Sequence, residues 1–142
     1  MVTILLAVDG SECAQRAAAH LVEHRNWYQE APVVHLLYVH PPIPVGLVQA
    51  HLSHETVERH YREEAEQDLA SVEARLKAAG MAYQRHIHVG QPAQVIAHQA
   101  QELQVDLVLM GSHGRGAVSG ALLGSVATKV LHLCERPVLL VK

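Results

Sequence analysis

Short aliphatic runs alternating with helix-periodic segments predict an α/β protein, an open five-stranded parallel sheet with helices on both of its faces. Three observations carry this. The chain of 142 residues lies in the range of a single domain, here 1–142, so one fold must supply any site. Hydrophobic residues make up 49% of it and phenylalanine is absent, so the core must be aliphatic. Runs of Val, Leu, Ile and Ala suit strands buried on both faces, and the intervening segments are long enough for right-handed crossover helices.

The first strand is Thr3 to Val8, stopped by Asp9-Gly10-Ser11, which is turn chemistry and a helix N-cap candidate. Ala14, Ala17, Ala18, Leu21 and Val22 recur at helical spacing, predicting a helix to about Trp27. Val33 to Val39 is the second strand. His40-Pro41-Pro42-Ile43-Pro44 then forces an extended loop, because proline lacks an amide donor and restricts the residue before it. From about Ser53 to Ala79 a stretch without Pro or Gly reads as a long charged helix with a solvated polar face, ended by Gly80. Tyr83 to Val89 is the third strand, and Gly90-Gln91-Pro92 opens a helix carrying Val95, Ile96, Gln99 and Leu103. Leu107 to Met110 is the fourth strand. A glycine-rich stretch from Gly111 to Gly124 leads into a helix from about Ser125 to Leu133, and Val138 to Val141 is the fifth strand.

A formal charge of -3 gives no broad basic field, so nucleic acid is not an expected partner. No stretch approaches the length of a membrane-spanning apolar helix, and the expected location is the cytoplasm. Cys13 and Cys134 form no C-x-x-C pair and read as buried small hydrophobes rather than disulfide or metal ligands. Twelve histidines are unusual. His51, His54 and His60 lie close in sequence, but neither Cys nor a tight carboxylate cluster completes a first shell, so no metal site is assigned. His86 and His88 share one side of a strand by alternation.

In open parallel sheets, ligands bind beyond the carboxyl ends of strands where neighbouring crossovers diverge, which selects Asp9, Val39 and Met110. The informative segment is Met110-Gly111-Ser112-His113-Gly114-Arg115-Gly116, with Gly124-Ser125-Val126 further on. Such a loop can turn backbone amides inward as an anion nest, and Ser125 opens a helix whose free amides and dipole favour negative charge. Arg115 could add a charge from the rim, or be a solvated loop charge. Two familiar phosphate loops do not fit. G-x-x-x-x-G-K-[ST] fails because Gly116 is followed by Ala117-Val118, and G-x-G-x-x-G fails because Gly114-Arg115-Gly116 reaches the next glycine, Gly120, one residue late.

Gly111, Gly114, Gly124 and Ser125 instead reproduce G-x2-G-x9-G-[ST], and here the chain resembles the ATP-binding subgroup of the universal stress protein family. The similarity extends to Ile4-Leu5-Leu6-Ala7-Val8-Asp9-Gly10-Ser11, to Val33, His35, Leu36 and Val39, and to Arg136-Pro137-Val138-Leu139-Leu140-Val141. The resemblance implies strand order 3-2-1-4-5, a fold like that of the adenine nucleotide alpha hydrolases. It also implies bound ATP, ADP or AMP with accompanying Mg2+. Asp9 would accept from a ribose hydroxyl or adenine edge, Ala7 and Val8 would line the base pocket, Val39 would offer its main chain to adenine, and Met110 would lie against base or sugar. Gly111, His113, Gly114, Gly124, Ser125 and Val126 would surround the phosphates.

Binding has more support than catalysis. Ser125 and His113 lack a third orienting group, and hydrolysis would need a placed water and charge stabilisation beyond the nest. The expected function is a nucleotide-dependent stress-response module, homodimeric through Val138–Val141. The alternative is a slow ATPase or nucleotide hydrolase on the same fold.

Overall fold

The central strand, β1 (Thr3–Val8), is buried along nearly its whole length, as a two-sided aliphatic strand must be. The computed structural model describes residues 1–44, 53–115, 120 and 122–142. The remaining strands are β2 (Val33–His40), β3 (Tyr83–Val89), β4 (Leu107–Gly111) and β5 (Val138–Val141). The helices are α1 (Glu12–Glu23), α2 (His54–Ala78), α3 (Pro92–Glu102) and α4 (Ser125–Leu133). The five strands pair in parallel in the order β3-β2-β1-β4-β5, as expected.

Period-2 alternation divides the core between the two faces of the sheet. Ile4, Leu6 and Val8 of β1 point into a cluster with Ala14, Ala17, Ala18 and Leu21 of α1 and Ala65, Leu69, Val72 and Leu76 of α2. Leu5 and Ala7 point the other way, onto Ala93, Ile96 and Ala100 of α3 and Ala127 and Val130 of α4. Small residues on α1 and α3 let these helices lie close to the strands.

Local chemistry sets the helix ends. The Ser11 side chain caps α1 by accepting from the Ala14 amide at 3.2 Å, and Ser53 does the same for α2 through Thr56 at 3.2 Å. Beyond α2, Gly80 adopts φ +68°, the left-handed turn that glycine reaches without a Cβ penalty. Pro92 occupies the first turn of α3, where an amide donor is not needed.

Some boundaries differ from the sequence reading. α1 stops at Glu23 and a 3-10 turn, Arg25–Trp27, carries the chain on, with the Arg25 guanidinium donating to the Val22 carbonyl at 2.7 Å. β2 and β4 each run one residue further, to His40 and Gly111, because both remain paired to neighbours. Cys13 and Cys134 are free, but half-buried rather than buried. The polar face of α2 is not wholly solvated: Asp68 and Glu73 are buried. Among the described residues, no helix is long and apolar enough to cross a membrane.

Candidate functional site

β1 and β4 lie side by side, yet α1 leads from β1 towards β2 while α4 leads from β4 towards β5. The divergence opens a cleft beyond their carboxyl ends. A cavity of about 630 Å³ occupies it, within the size range of small-molecule and cofactor sites. All twelve residues singled out by the sequence line it: Ala7, Val8 and Asp9 from the end of β1, Val39 from β2, Met110 and Gly111 from β4, His113, Gly114 and Arg115 from the following loop, and Gly124, Ser125 and Val126 at the start of α4. Residues 116–119 and 121, inside the glycine-rich stretch, and 45–52, where His51 falls, lie outside the described residues.

The cavity has two characters. Ala7, Leu37, Val39, Ile96 and Met110, all of one core cluster, line it with apolar side chains, and Gly111, Gly114, Gly124, Ser125 and Asp9 line it with backbone and polar groups. The N-cap of α4 is Gly124, and among the described residues no side chain caps that helix start. The Gly124 amide donates to the Ser112 carbonyl at 2.8 Å, folding the loop back onto the end of β4. A Cβ on Gly124 would stand 3.1 Å from both the Ser112 oxygen and the His113 Cα; one on Gly114 would stand 2.6 Å from Asp9 Oδ2. Gly111 has a different reason: its Cβ would meet Cys13 at 2.6 Å, so it lets α1 pack against β4.

Asp9 serves as a structural hub as well as a wall. Its Oδ1 accepts from the Ser11 amide at 2.9 Å, the turn that starts α1, and its Oδ2 accepts from the Arg115 amide at 3.3 Å. The Arg115 side chain reaches away to Asp68, Nη2 to Oδ1 at 2.6 Å. His113 Nδ1 lies 2.9 Å from Ser112 Oγ.

Other cavity residues gave no sign in the sequence. Tyr38 points from β2 to α2, its hydroxyl donating to Asp68 Oδ2 at 3.0 Å. Burial, and then that bond, push its phenol well above the ordinary range, so it remains a neutral donor. His40 contacts the Glu64 carboxylate, and this hydrogen bond holds Glu64 below its usual range against a smaller opposing effect of burial. The partners of these contacts lie 24 to 30 residues apart, so no local spacing reveals them. His54 and His60 point to separate partners, Glu58 at 3.1 Å and Glu64 at 3.6 Å.

Comparison with known proteins places this chain in a family. A universal stress protein of Thermus aquaticus is 36% identical over 141 residues, covering 99% of this chain and 98% of its own. The chain also matches universal stress protein MJ0531 of Methanocaldococcus jannaschii, 30% identical over 98% of this chain and 81% of that one, but spans only 45% of a relative from Mycolicibacterium smegmatis. The solved structure of hypothetical protein MJ0577 superposes with a TM-score of 0.85 at 30% identity, covering 99% of this chain and 95% of that one. More distant members, 19% and 22% identical with TM-scores of 0.68 and 0.70, share the fold; one, from Arabidopsis thaliana, was solved with AMP bound and the other in complex with cAMP. The Universal stress protein family profile matches residues 1–142, and the chain belongs to that family.

Proposed function

We propose that this chain binds ATP in the cleft at the ends of β1 and β4 and acts as a nucleotide-dependent stress-response module. The observation that carries it is that Gly111, Gly114, Gly124 and Ser125, with the start of α4, line one cavity together with the apolar side chains of Ala7, Leu37, Val39, Ile96 and Met110. A triphosphate needs backbone donors and a helix N-terminus; a purine needs an apolar slot with main-chain partners. The residues fit that division. Ala7, Val39 and Met110 would flank the base, Asp9 would face the ribose, and the glycine loop with Ser125 would hold the phosphates. Mg2+ would accompany the nucleotide, bound to its phosphates. That relatives have been solved with AMP and cAMP supports an adenine nucleotide as the ligand class.

Calorimetric titration with ATP and with adenosine tests the reading. Ser125→Ala removes one donor to a charged acceptor, worth about 1.5–3 kcal/mol, so ATP affinity should fall roughly tenfold or more while adenosine affinity holds. Gly124→Val, which crowds the Ser112–His113 backbone, should act in the same direction. ATP affinity unchanged in both variants would remove the phosphate assignment, and following phosphate release in the same samples separates a binding module from a slow ATPase.

A further inference from the structure

A cluster of donor atoms stands at the mouth of the cavity and takes no part in the nucleotide reading. His60 and Glu64 sit four residues apart on α2, one above the other on the same face. His40 ends β2 beside them. The ligand-capable atoms of the three side chains all lie within 4.8 Å of one another. Glu64 is engaged from both sides, Oε2 by His40 Nε2 and Oε1 by His60 Nε2 at 3.6 Å. Tyr61 braces the group: its ring packs against His40 at a centroid distance of 4.6 Å, and its hydroxyl accepts from the Ile43 amide at 2.8 Å.

The His40 ring is oriented by its own backbone. Nδ1 lies 2.5 Å from the Pro41 carbonyl oxygen. That oxygen can only accept, so Nδ1 carries a proton, and a neutral imidazole then has its lone pair on Nε2. The lone pair faces the Glu64 carboxylate, another acceptor. Two acceptors meeting in this way require a proton between them, on the ring or on the carboxylate, and a metal cation takes that proton's place once the two side chains draw apart. A ring N–H bonded to a backbone carbonyl, with the other nitrogen presented outward, is the arrangement that orients metal-ligating histidines.

We propose that His40, His60 and Glu64 form a binding site for a divalent transition-metal cation of the zinc class, with its open coordination position on the cavity side. Two imidazole nitrogens and one carboxylate oxygen suit Zn2+, Co2+, Ni2+ or Cu2+, whereas Mg2+ prefers an all-oxygen shell. Three protein ligands leave a position for water or a further ligand. His40 and Glu64 both line the cavity, which puts that position in reach of whatever occupies it. The site is separate from Mg2+ carried on phosphates and does not depend on the nucleotide proposal.

The chain supplies its own controls. His54–Glu58 and His98–Glu102 are also four-residue His–Glu pairs on helix surfaces, at 3.1 and 3.3 Å, and neither gains a third ligand among the described residues. Metal-free, nucleotide-free protein should be titrated with Zn2+ by calorimetry and with Co2+ by visible absorption. One strong equivalent of Zn2+ is expected, with the intense bands of a tetrahedral Co2+ site, undisturbed by excess Mg2+. His60→Ala and Glu64→Ala should each weaken that equivalent by more than the roughly 10–100-fold that loss of an outer-shell partner alone costs, and should abolish the tetrahedral bands. His54→Ala and His98→Ala should leave both intact. His60 is half exposed, and unchanged thermal unfolding of its variant without metal shows that the fold persists. The proposal is overturned by the absence of a strong equivalent in the native protein, by its persistence in His60→Ala and Glu64→Ala, or by an equal loss in His98→Ala.

Discussion

His35 and His86 form an imidazole pair across β2 and β3, Nδ1 to Nε2 at 2.9 Å, that can share only one proton. Burial lowers the affinity of both for a second proton, and for His86 the neighbouring His35 and then His88 lower it further. Both folded-state values therefore lie below the 6.5 of the unfolded chain, so the unfolded state takes up protons first as pH falls. The stability this pair contributes is complete above about pH 6.5 and is lost as pH drops through the folded values. Thermal unfolding followed from pH 7.5 to 5 should show a falling midpoint, and His35→Leu should flatten the fall; an identical slope in the variant would assign the loss elsewhere. That His86 and His88 share one side of β3 was readable from strand alternation, and Asp9, Gly111, Gly114, Gly124 and Ser125 were readable because their chemistry is local. A turn after a strand or a glycine spacing is written in consecutive residues. The His35–His86 bond was not readable, because it depends on the register of β2 against β3, which the strand order leaves open.

α2 shows the same limit at the scale of an element. Its Glu, Arg and Lys content reads as a solvated surface, yet it buries two carboxylates that are joined to partners elsewhere. Glu73 accepts from the Tyr83 hydroxyl, whose phenol is pushed up to about 12 by burial and then by that bond, and from Arg85 at 2.5 Å. Asp68 accepts from Tyr38 and Arg115 at once, linking α2, β2 and the glycine loop. These carboxylates fix α2 against the sheet at the side of the cavity. Asp68→Ala would strand the buried Tyr38 hydroxyl and release Arg115, at a cost of about 1–3 kcal/mol. Arg115→Ala should cost less, within about 1 kcal/mol, because its side chain is 59% exposed and solvent screens the pair. Denaturant unfolding of the two variants should rank them in that order, and the reverse order would mean that Arg115 anchors more of the loop than this ion pair.

For the whole molecule, the strand order leaves two edges with unequal protection. β3 carries Arg85, His86 and His88 along its length, and Arg85 is tied down by Glu66 and Glu73, charges of the kind that discourage strand-to-strand pairing. β5 at the other edge is Val138-Leu139-Leu140-Val141, with no charge, proline or bulge inside it, and Leu131 and Leu133 of the preceding α4 are 46% and 51% exposed. We expect two copies to pair antiparallel through β5 in a closed, self-complementary contact of roughly 800 Å² per partner. Lysine at Leu139 or Val141 would be a poor test, since both side chains pack against the α1 side of the core. The backbone offers a better one. The Pro137 carbonyl accepts from the Val108 amide of β4 and the Val141 carbonyl from the Ser112 amide just beyond it, at 2.8 Å in each case, so the odd-numbered residues of β5 face β4 and the amides of Val138 and Leu140 face outward. Leu140→Pro therefore removes an outward donor and leaves the β4–β5 ladder intact, the position at which a sheet edge accepts proline. Light scattering at micromolar concentration should show a dimer for the native protein and a folded monomer for Leu140→Pro. A native monomer would refute the dimer, and a dimer indifferent to Leu140→Pro would move the contact to the exposed leucines of α4 or another surface.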